Sequence, residues 1–496
     1  MNLYDYFMRS AKRTPGRIAL VYQDRRWTYG ELAASVQSLA QSLDAAGVRP
    51  GDRVLTISRN RPELWVLFWA VQRLSAALVP LNPQMDGADV AYCIEDTEPA
   101  AVFCDDGGAS VMTSLPPGHR APPLVLTSAD IHAPRPLAGT TPARPARARS
   151  APRGDDMALM LYTSGVTGPP KGVPRSHCNE IFSSFAHIVQ NHGQFSETSL
   201  ALSPWSHTMG IRTLLTATIL SGTLVVPSSC QPSHLLESIA RDGVSVLYGV
   251  PWIFHQLLLE DPSGRVLRQL KNVGYAGAPM PASVTQQVFA VMRPEHFVNH
   301  YGSTEVYTYS VCAELDQKPG SAGKPGVHTE TRIVSLNGGE EETLPGEVGQ
   351  LWVRMTSPEA FRGYWNRADA TRQAVVDGWF KTGDLVLRDD DGDLWVKGRV
   401  DDRIQIGGRT IWINEIEQAL ATAPGVADAA VVAVPNAQGD PHLIAYVVAA
   451  AAPAAIRQWV EHDRRLYHAR PQLFFVEDLP RQSGKLLTRK LAPQQS

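Results

Sequence analysis

The densest run of chemistry-bearing residues lies at 159–173, LMLYTSGVTGPPKGV. An apolar stretch leads into Thr163, Ser164, Gly165, Thr167 and Gly168, and Lys171 follows. Glycines let a backbone bend and approach a polyanion closely. Hydroxyls donate hydrogen bonds to its oxygens, and a lysine adds a point charge. Such a loop suits phosphate. It departs from a Walker A loop, since Pro170 stands where that motif has glycine, Gly172 where it has Ser or Thr, and proline removes backbone donors. A Gly/Pro turn without function is the plain alternative, and the crowding of Ser, Thr, Gly and Lys into one stretch weighs against it.

Elements able to position such a loop can be read around it. Thr28 with Glu31 forms a capping-box pattern, and Leu32, Val36, Leu39 and Leu43 follow at helical spacing until Gly47. Through the first hundred residues or so, Val- and Leu-rich strand candidates alternate with helical patterns, which predicts α/β layering. The apolar run 64–74 is too short to span a bilayer and is interrupted by Gln72 and Arg73, so it reads as a buried helix. Residues 132–154 are dominated by Pro, Arg and Ala and read as a surface connector. After Arg399 the pattern restarts as a small α+β unit. A helix is expected from Asn414 until Pro424 and Gly425, strands at 429–434 and 443–448, a helix near 456–466 and a strand at 472–476.

Size and composition bound the possibilities. A chain of 496 residues exceeds what one hydrophobic core organises, so two or more units are expected. Hydrophobic residues at 44% and charged residues at 19% are ordinary for a soluble globular protein. A formal net charge of -3 gives no electrostatic reason to expect nucleic acid or an anionic membrane, and a small-molecule substrate fits it better. The five cysteines form no C-x-x-C pair, which argues against a zinc site and a disulfide framework and for reduced thiols in a cytoplasmic protein. The N-terminal residues carry polar groups where a secretory segment is apolar.

Further motifs follow in order: NHYGSTEV at 299–306, GWFKTGDL at 378–385, GRVDDRIQIGGRTIWINEIE at 398–417 and LPRQSGKLLTRKL at 479–491. Together with the phosphate loop they resemble the signatures of the adenylate-forming superfamily, which comprises acyl- and aryl-CoA ligases, luciferases and the adenylation domains of peptide synthetases. The resemblance implies roles. Tyr301 and Gly302 border adenine, Thr304 contacts the α-phosphate, Glu305 is a magnesium ligand and Asp384 accepts from the ribose hydroxyls. Arg399 contacts ribose or phosphate, the small domain swings about Asp401, and Gly407 and Gly408 border the pantetheine channel. Lys485 is the catalytic lysine, a cation beside the attacking carboxylate and the α-phosphate, where negative charge accumulates. Taken singly, Ser-Thr-Glu after Tyr-Gly is an ordinary helix start, Thr-Gly-Asp an ordinary turn, and the charges after 398 a solvated hairpin. Two positions depart from the family pattern: Val166 stands in place of a hydroxyl residue and Gln405 in place of a lysine.

Between the phosphate loop and the Tyr-Gly motif, PWSHTMG at 204–210 resembles a segment of acyl- and aryl-CoA ligases that places His207 near the carboxylate or as a gate. A core histidine is the alternative. No aspartate stands there to pair with an α-ammonium, and His207-Thr208 differs from the His-Asn of dihydroxybenzoate activators. YAGAPMP at 275–281 implies that the backbone of Gly277, Ala278 and Pro279 lines the adenine and acyl sites. GKPGVHTETRIV at 323–334, with the run at 398–417, most resembles benzoate and chlorobenzoate CoA ligases. Phe182, Phe185, Trp205, Tyr248 and Tyr307 are candidates for an aromatic wall. In HARPQ at 468–472, Arg470 matches a contact to the nucleotide end of CoA.

The expected molecule is an adenylate-forming enzyme. Its large N-terminal α/β domain of layered sheets and helices, residues 1–398, binds ATP and the acid; a small mobile α+β domain, 399–496, carries Lys485, with the active site between them. The implied reaction is ATP-dependent ligation of an aromatic or apolar acid to CoA through an acyl-adenylate, with Mg2+, in a cytoplasmic monomer or homodimer without nucleic-acid or membrane partners. Two alternatives stay open. One is a freestanding adenylation enzyme that loads a carrier-protein phosphopantetheine or an amine; the other is an inactive nucleotide-binding homologue.

Overall fold

A computed structural model describes the chain except residues 1, 119–120, 133–152, 164–168, 337, 407–408, 436–440, 450, 464–465, 467–468, 480, 483–484, 487–490 and 492–496; for part of 401–490 it describes the backbone alone. The surface connector expected at 132–154 therefore lies almost wholly outside the described residues. Contacts divide the chain into two compact units, one formed by Met1–Glu330 with Arg354–Phe380 and the other by Thr331–Val353 with Lys381–Ser496.

In the first unit the expected alternation becomes two sheets. The nine-stranded sheet runs Lys324–Pro325, Ser310–Cys312, His296–Tyr301, Asn272–Ala276, Val246–Gly249, Thr198–Leu200, Thr223–Val226, Ile18–Tyr22 and Arg25–Thr28, parallel at its centre and antiparallel at both ends. The six-stranded sheet runs Val125–Leu126, Ala101–Cys104, Arg53–Ile57, Ala77–Leu81, Met157–Thr163 and Lys171–Ser176. Strands such as Ala77–Leu81, Ala101–Cys104 and Val246–Gly249 are buried along their whole length, as parallel strands covered on both faces must be.

Helices form where the sequence marks them. Tyr29–Ala45 opens on the Thr28/Glu31 capping box, worth about 1 kcal/mol, and buries Leu32, Val36, Leu39 and Leu43. It ends before Gly47, whose φ of 99° favours glycine. Pro62–Arg73 is buried nearly all round, as its unbroken apolar composition requires. Its buried Gln72 donates through Nε2 to the Ala158 carbonyl at 2.9 Å. Among the described residues no helix is long and apolar enough to cross a membrane.

The second unit contains all but the end residues Arg354, Trp379 and Phe380 of the antiparallel pairs of Thr331–Val334 with Gly349–Arg354 and of Trp379–Arg388 with Leu394–Arg399. The pattern after Arg399 resolves into the helix Ile413–Ala421, the strands Val426–Pro435 and Pro441–Ala449, the helix Pro453–His462 and the strand Gln472–Phe475. These strands make a three-stranded mixed sheet packed by Leu420, Val431, Ala445 and Ile456.

Candidate active site

The phosphate-loop residues begin on the hairpin Met157–Thr163 and Lys171–Ser176, whose antiparallel register pairs Thr163 with Lys171. Ala158, Leu159, Met160 and Leu161 are fully buried and fix the hairpin in the core. Thr163 and Lys171 thus stand opposite each other at its mouth. Ser164, Gly165, Val166, Thr167 and Gly168 lie outside the described residues.

Lys171 Nζ sits 5.0 Å from the centroid of the Tyr364 ring, a cation held against an aromatic face. The same tyrosine donates its Oη hydrogen to Glu305 Oε1 at 2.7 Å. One side chain therefore touches both the phosphate-loop lysine and the carboxylate expected to hold magnesium. Glu305 is buried, and its amide donates to Ser303 Oγ at 3.1 Å.

Residues 302–306 form a tight turn after the strand His296–Tyr301, and the helix start that Ser-Thr-Glu alone would suggest is absent. The chain reverses, so Tyr301 pairs with Ser310. Gly302 permits this, because a Cβ there would lie 2.1 Å from the Tyr307 carbonyl oxygen. Tyr301 meets Tyr309 edge-on at 5.1 Å. Gly277 and Tyr301 both follow the paired residues Ala276 and His300, and Gly277, Ala278 and Pro279 are exposed. This is the C-terminal edge of the parallel strands, where open α/β sheets bind ligands. Thr304 is partly exposed in the turn.

His207 caps the helix Thr208–Ile219, its Nδ1 accepting from the Met209 amide at 3.5 Å. It thus has a structural task that the sequence did not indicate. Phe182 and Phe185, candidates for an aromatic wall, face outward at 43% and 40% exposure. Trp205 belongs to the largest core cluster.

Sequence reasoning missed the support beneath the turn. Arg175, wholly buried, donates through Nε to Glu180 Oε1 at 2.8 Å and through Nη1 to the carbonyls of Glu305 and Glu359 at 3.3 and 2.6 Å. Arg212 donates to Thr308 Oγ1 at 2.7 Å and stands 3.6 Å from Glu359 Oε2. Both guanidinium groups lie over the Tyr307 ring, at 3.8 and 5.0 Å. Burial pulls the Arg175 pKa down, but Glu180, Tyr307 and Glu359 more than offset it and hold the group above its usual value. Burial lowers Arg212, against the pull of Glu359. Arg175 sits four residues beyond Lys171 in the strand Lys171–Ser176, whose sequence KGVPRS carries no apolar pattern, so no local signal marked its burial.

In the second unit, Asp384 and Arg399 are register partners and form an ion pair at 3.0 Å. The Asp384 amide donates to Thr382 Oγ1 at 3.0 Å, which fixes the bend. Gly383 has φ 76°, and a Cβ there would meet the Arg399 guanidinium at 2.9 Å. The pair presents an acceptor-only carboxylate beside a fork of donors, a combination suited to vicinal hydroxyls and phosphate. Asp401 lies in a single helical turn, Val400–Asp402. Arg470 adopts φ 36° and is exposed. Lys485 opens the short strand Lys485–Leu486, paired with Arg481–Gln482, and only its backbone is described. Gly407 and Gly408 lie outside the described residues.

Residues 7–365 match the family described as AMP-binding enzyme, and residues 415–485 match its C-terminal domain. A feruloyl-CoA synthase of Amycolatopsis sp is 31% identical, covering 86% of this chain and 85% of that protein. A 3-hydroxybenzoate–CoA/4-hydroxybenzoate–CoA ligase of Thauera aromatica is 30% identical over 95% and 93% of the two chains. The fold is similar to that of O-succinylbenzoate coenzyme A synthetase from Bacillus subtilis in complex with ATP and magnesium ion, with a TM-score of 0.84, 26% identity and 98% coverage of each chain. Motif order, sheet architecture and the grouping of Lys171 with Glu305 agree with that match, and the chain belongs to the AMP-binding enzyme family, with its adenylate-forming fold.

Proposed function

We propose that this chain is an ATP-dependent ligase that joins an aromatic or apolar carboxylic acid to coenzyme A through an acyl-adenylate. The observation that carries this reading is Tyr364, against whose ring Lys171 rests and whose hydroxyl binds Glu305. That arrangement sets a cation and a hard carboxylate oxygen around one spot, as a nucleotide triphosphate requires.

The steps follow from charge. A substrate carboxylate oxygen attacks the α-phosphorus of ATP, the bond to the β-phosphate oxygen breaks, and pyrophosphate leaves. Lys171 offsets charge on the leaving phosphates, Thr304 donates to the α-phosphate, and the Lys485 ammonium accompanies the incoming carboxylate. Glu305, buried and oriented by Tyr364, suits Mg2+, which takes one or two protein carboxylates together with substrate phosphates and neutralises phosphate charge when bound. Asp384 and Arg399 hold the ribose. The thiolate of coenzyme A then attacks the acyl carbon and AMP departs, with Arg470 holding the nucleotide end and Gly407 and Gly408 leaving room for the pantetheine arm. The swing about Asp401 separates the two half-reactions. We place the enzyme in the cytoplasm, where its five free cysteines stay reduced.

The test is pyrophosphate release from ATP across a panel of carboxylic acids, with coenzyme A, with a phosphopantetheine carrier protein, or with neither. Acid-dependent release followed by thioester formation on coenzyme A is expected. Turnover only with the carrier would move the acceptor to that protein, and no acid-dependent release would leave a nucleotide-binding protein without ligase activity.

A further inference from the structure

An α-helix leaves its last carbonyls without partners of its own, and at the end of the helix Gly87–Thr97 side chains from distant segments meet them. Arg53 donates through Nε to the Thr97 carbonyl at 2.7 Å and through Nη2 to the Glu98 carbonyl at 3.1 Å. The Asp96 carbonyl accepts from Trp365 Nε1 at 3.0 Å and from Asn366 Nδ2 at 3.2 Å. The residues that follow Tyr364 are therefore docked on a helix end that lies outside every adenylation motif.

The Asp96 carboxylate ties two segments together. Its Oδ2 accepts from Tyr162 Oη at 2.6 Å and its Oδ1 from Asn366 Nδ2 at 3.0 Å. Tyr162 pairs with Gly172 in the phosphate hairpin and directly precedes Thr163. Asn366 stands two residues after Tyr364, whose ring meets Lys171 and whose hydroxyl binds Glu305. Burial, with Asp96 beside it, holds the Tyr162 pKa above its usual value, so the phenol keeps its proton and remains a donor. Asn366 has φ 50°, a left-handed conformation that asparagine tolerates and that turns the chain just past Trp365. Backbone contacts complete the junction. The Trp365 amide donates to the Gly172 carbonyl at 2.8 Å, and a Cβ on Gly172 would lie 3.1 Å from Trp365 Cβ. One carboxylate thus pins the segment that carries Tyr364 to the hairpin that carries Lys171.

We propose that Asp96 is a positioning residue: by holding Tyr162 and Asn366 together it fixes Tyr364 between Lys171 and Glu305, and so sets the affinity for the β- and γ-phosphates of MgATP. The inference rests on the placement of the nucleotide in the ligase reading above. It is tested by calorimetric titration with MgATP and, as a control, with AMP, which lacks both of those phosphates. Asp96→Ala raises the MgATP Kd by about tenfold, and Asn366→Gly, which keeps the left-handed backbone and removes one tie, raises it by about threefold. The AMP Kd stays at the wild-type value in both variants. Because Asp96 acts through Tyr364, adding Asp96→Ala to Tyr364→Leu weakens MgATP by less than about twofold more. Each Kd is read from the binding-competent fraction, so partial loss of folded protein does not imitate these results. Parallel loss of MgATP and AMP affinity, or an unchanged MgATP Kd in Asp96→Ala, overturns the inference. So does an effect of Asp96→Ala that persists in full in Tyr364→Leu. These three outcomes leave the ligase reading intact, whereas a wild-type protein that binds no MgATP overturns that reading and this inference with it.

Discussion

Tyr364 is the residue on which the site's geometry turns. Replacing it with phenylalanine keeps the ring against Lys171 and removes only the donor to Glu305. We expect Tyr364→Phe to raise the Mg2+ concentration for half-maximal pyrophosphate release by about tenfold, the loss of a hydrogen bond to a charged group, with little change in the ATP requirement at saturating metal. An unchanged Mg2+ titration would show that Glu305 needs no such support. Lys485→Ala is expected to slow adenylation by about 10²–10³-fold while thioester formation from supplied acyl-adenylate survives, and equal loss of both half-reactions would refute the assignment. Lys171 and Glu305 were legible in the sequence because each sits in a motif whose composition serves phosphate or metal. Tyr364 was not, since it stands 59 residues from Glu305 with no pattern around it. Only the fold makes the two neighbours.

Elements show where local signals suffice and where they fail. The helix Tyr29–Ala45 follows from its cap and apolar spacing, and the elements after Arg399 from apolar spacing and Pro/Gly breaks without a side-chain cap, because such signals span only a few residues. Ser-Thr-Glu at 303–305 carries the same local signal, yet it forms a turn, since the strand after it returns to pair with Tyr301. Tertiary pairing outweighs a cap worth about 1 kcal/mol. The order of the nine strands was likewise invisible, as it depends on contacts between distant segments. Buried charge holds this turn. Arg175→Met leaves the Glu180 carboxylate without its ion-pair partner and the Glu359 carbonyl without the guanidinium donor, while the Glu305 carbonyl keeps the Phe361 amide, so destabilisation of roughly 3–5 kcal/mol is expected in urea unfolding of the free enzyme. A loss below about 1 kcal/mol, as for an exposed pair, would contradict this.

The molecule as a whole carries an acid liability. Burial, the largest effect, lowers the His177 pKa to about 4, and burial with Arg212 lowers His300 to about 3. Unfolded histidines titrate near 6.5, so below that pH the unfolded chain binds more protons than the folded one, and stability rises with pH. The stabilisation is complete above pH ~6.5 and is lost as pH falls through the folded values, with His177 contributing roughly 3 kcal/mol. Melting temperature should therefore fall steadily from pH 6.5 to 4, and His177→Asn should flatten that slope; an unchanged slope would place the liability elsewhere. A further consequence follows from the antiparallel ends of the nine-stranded sheet. So broad a sheet offers two rims of unsatisfied backbone, on which foreign chains could add. One rim is the two-residue strand Lys324–Pro325, both residues exposed, and the other carries exposed Arg25 and Arg26. Charge on both rims, and at one of them the missing amide of Pro325, disfavour the addition of foreign strands to these edges.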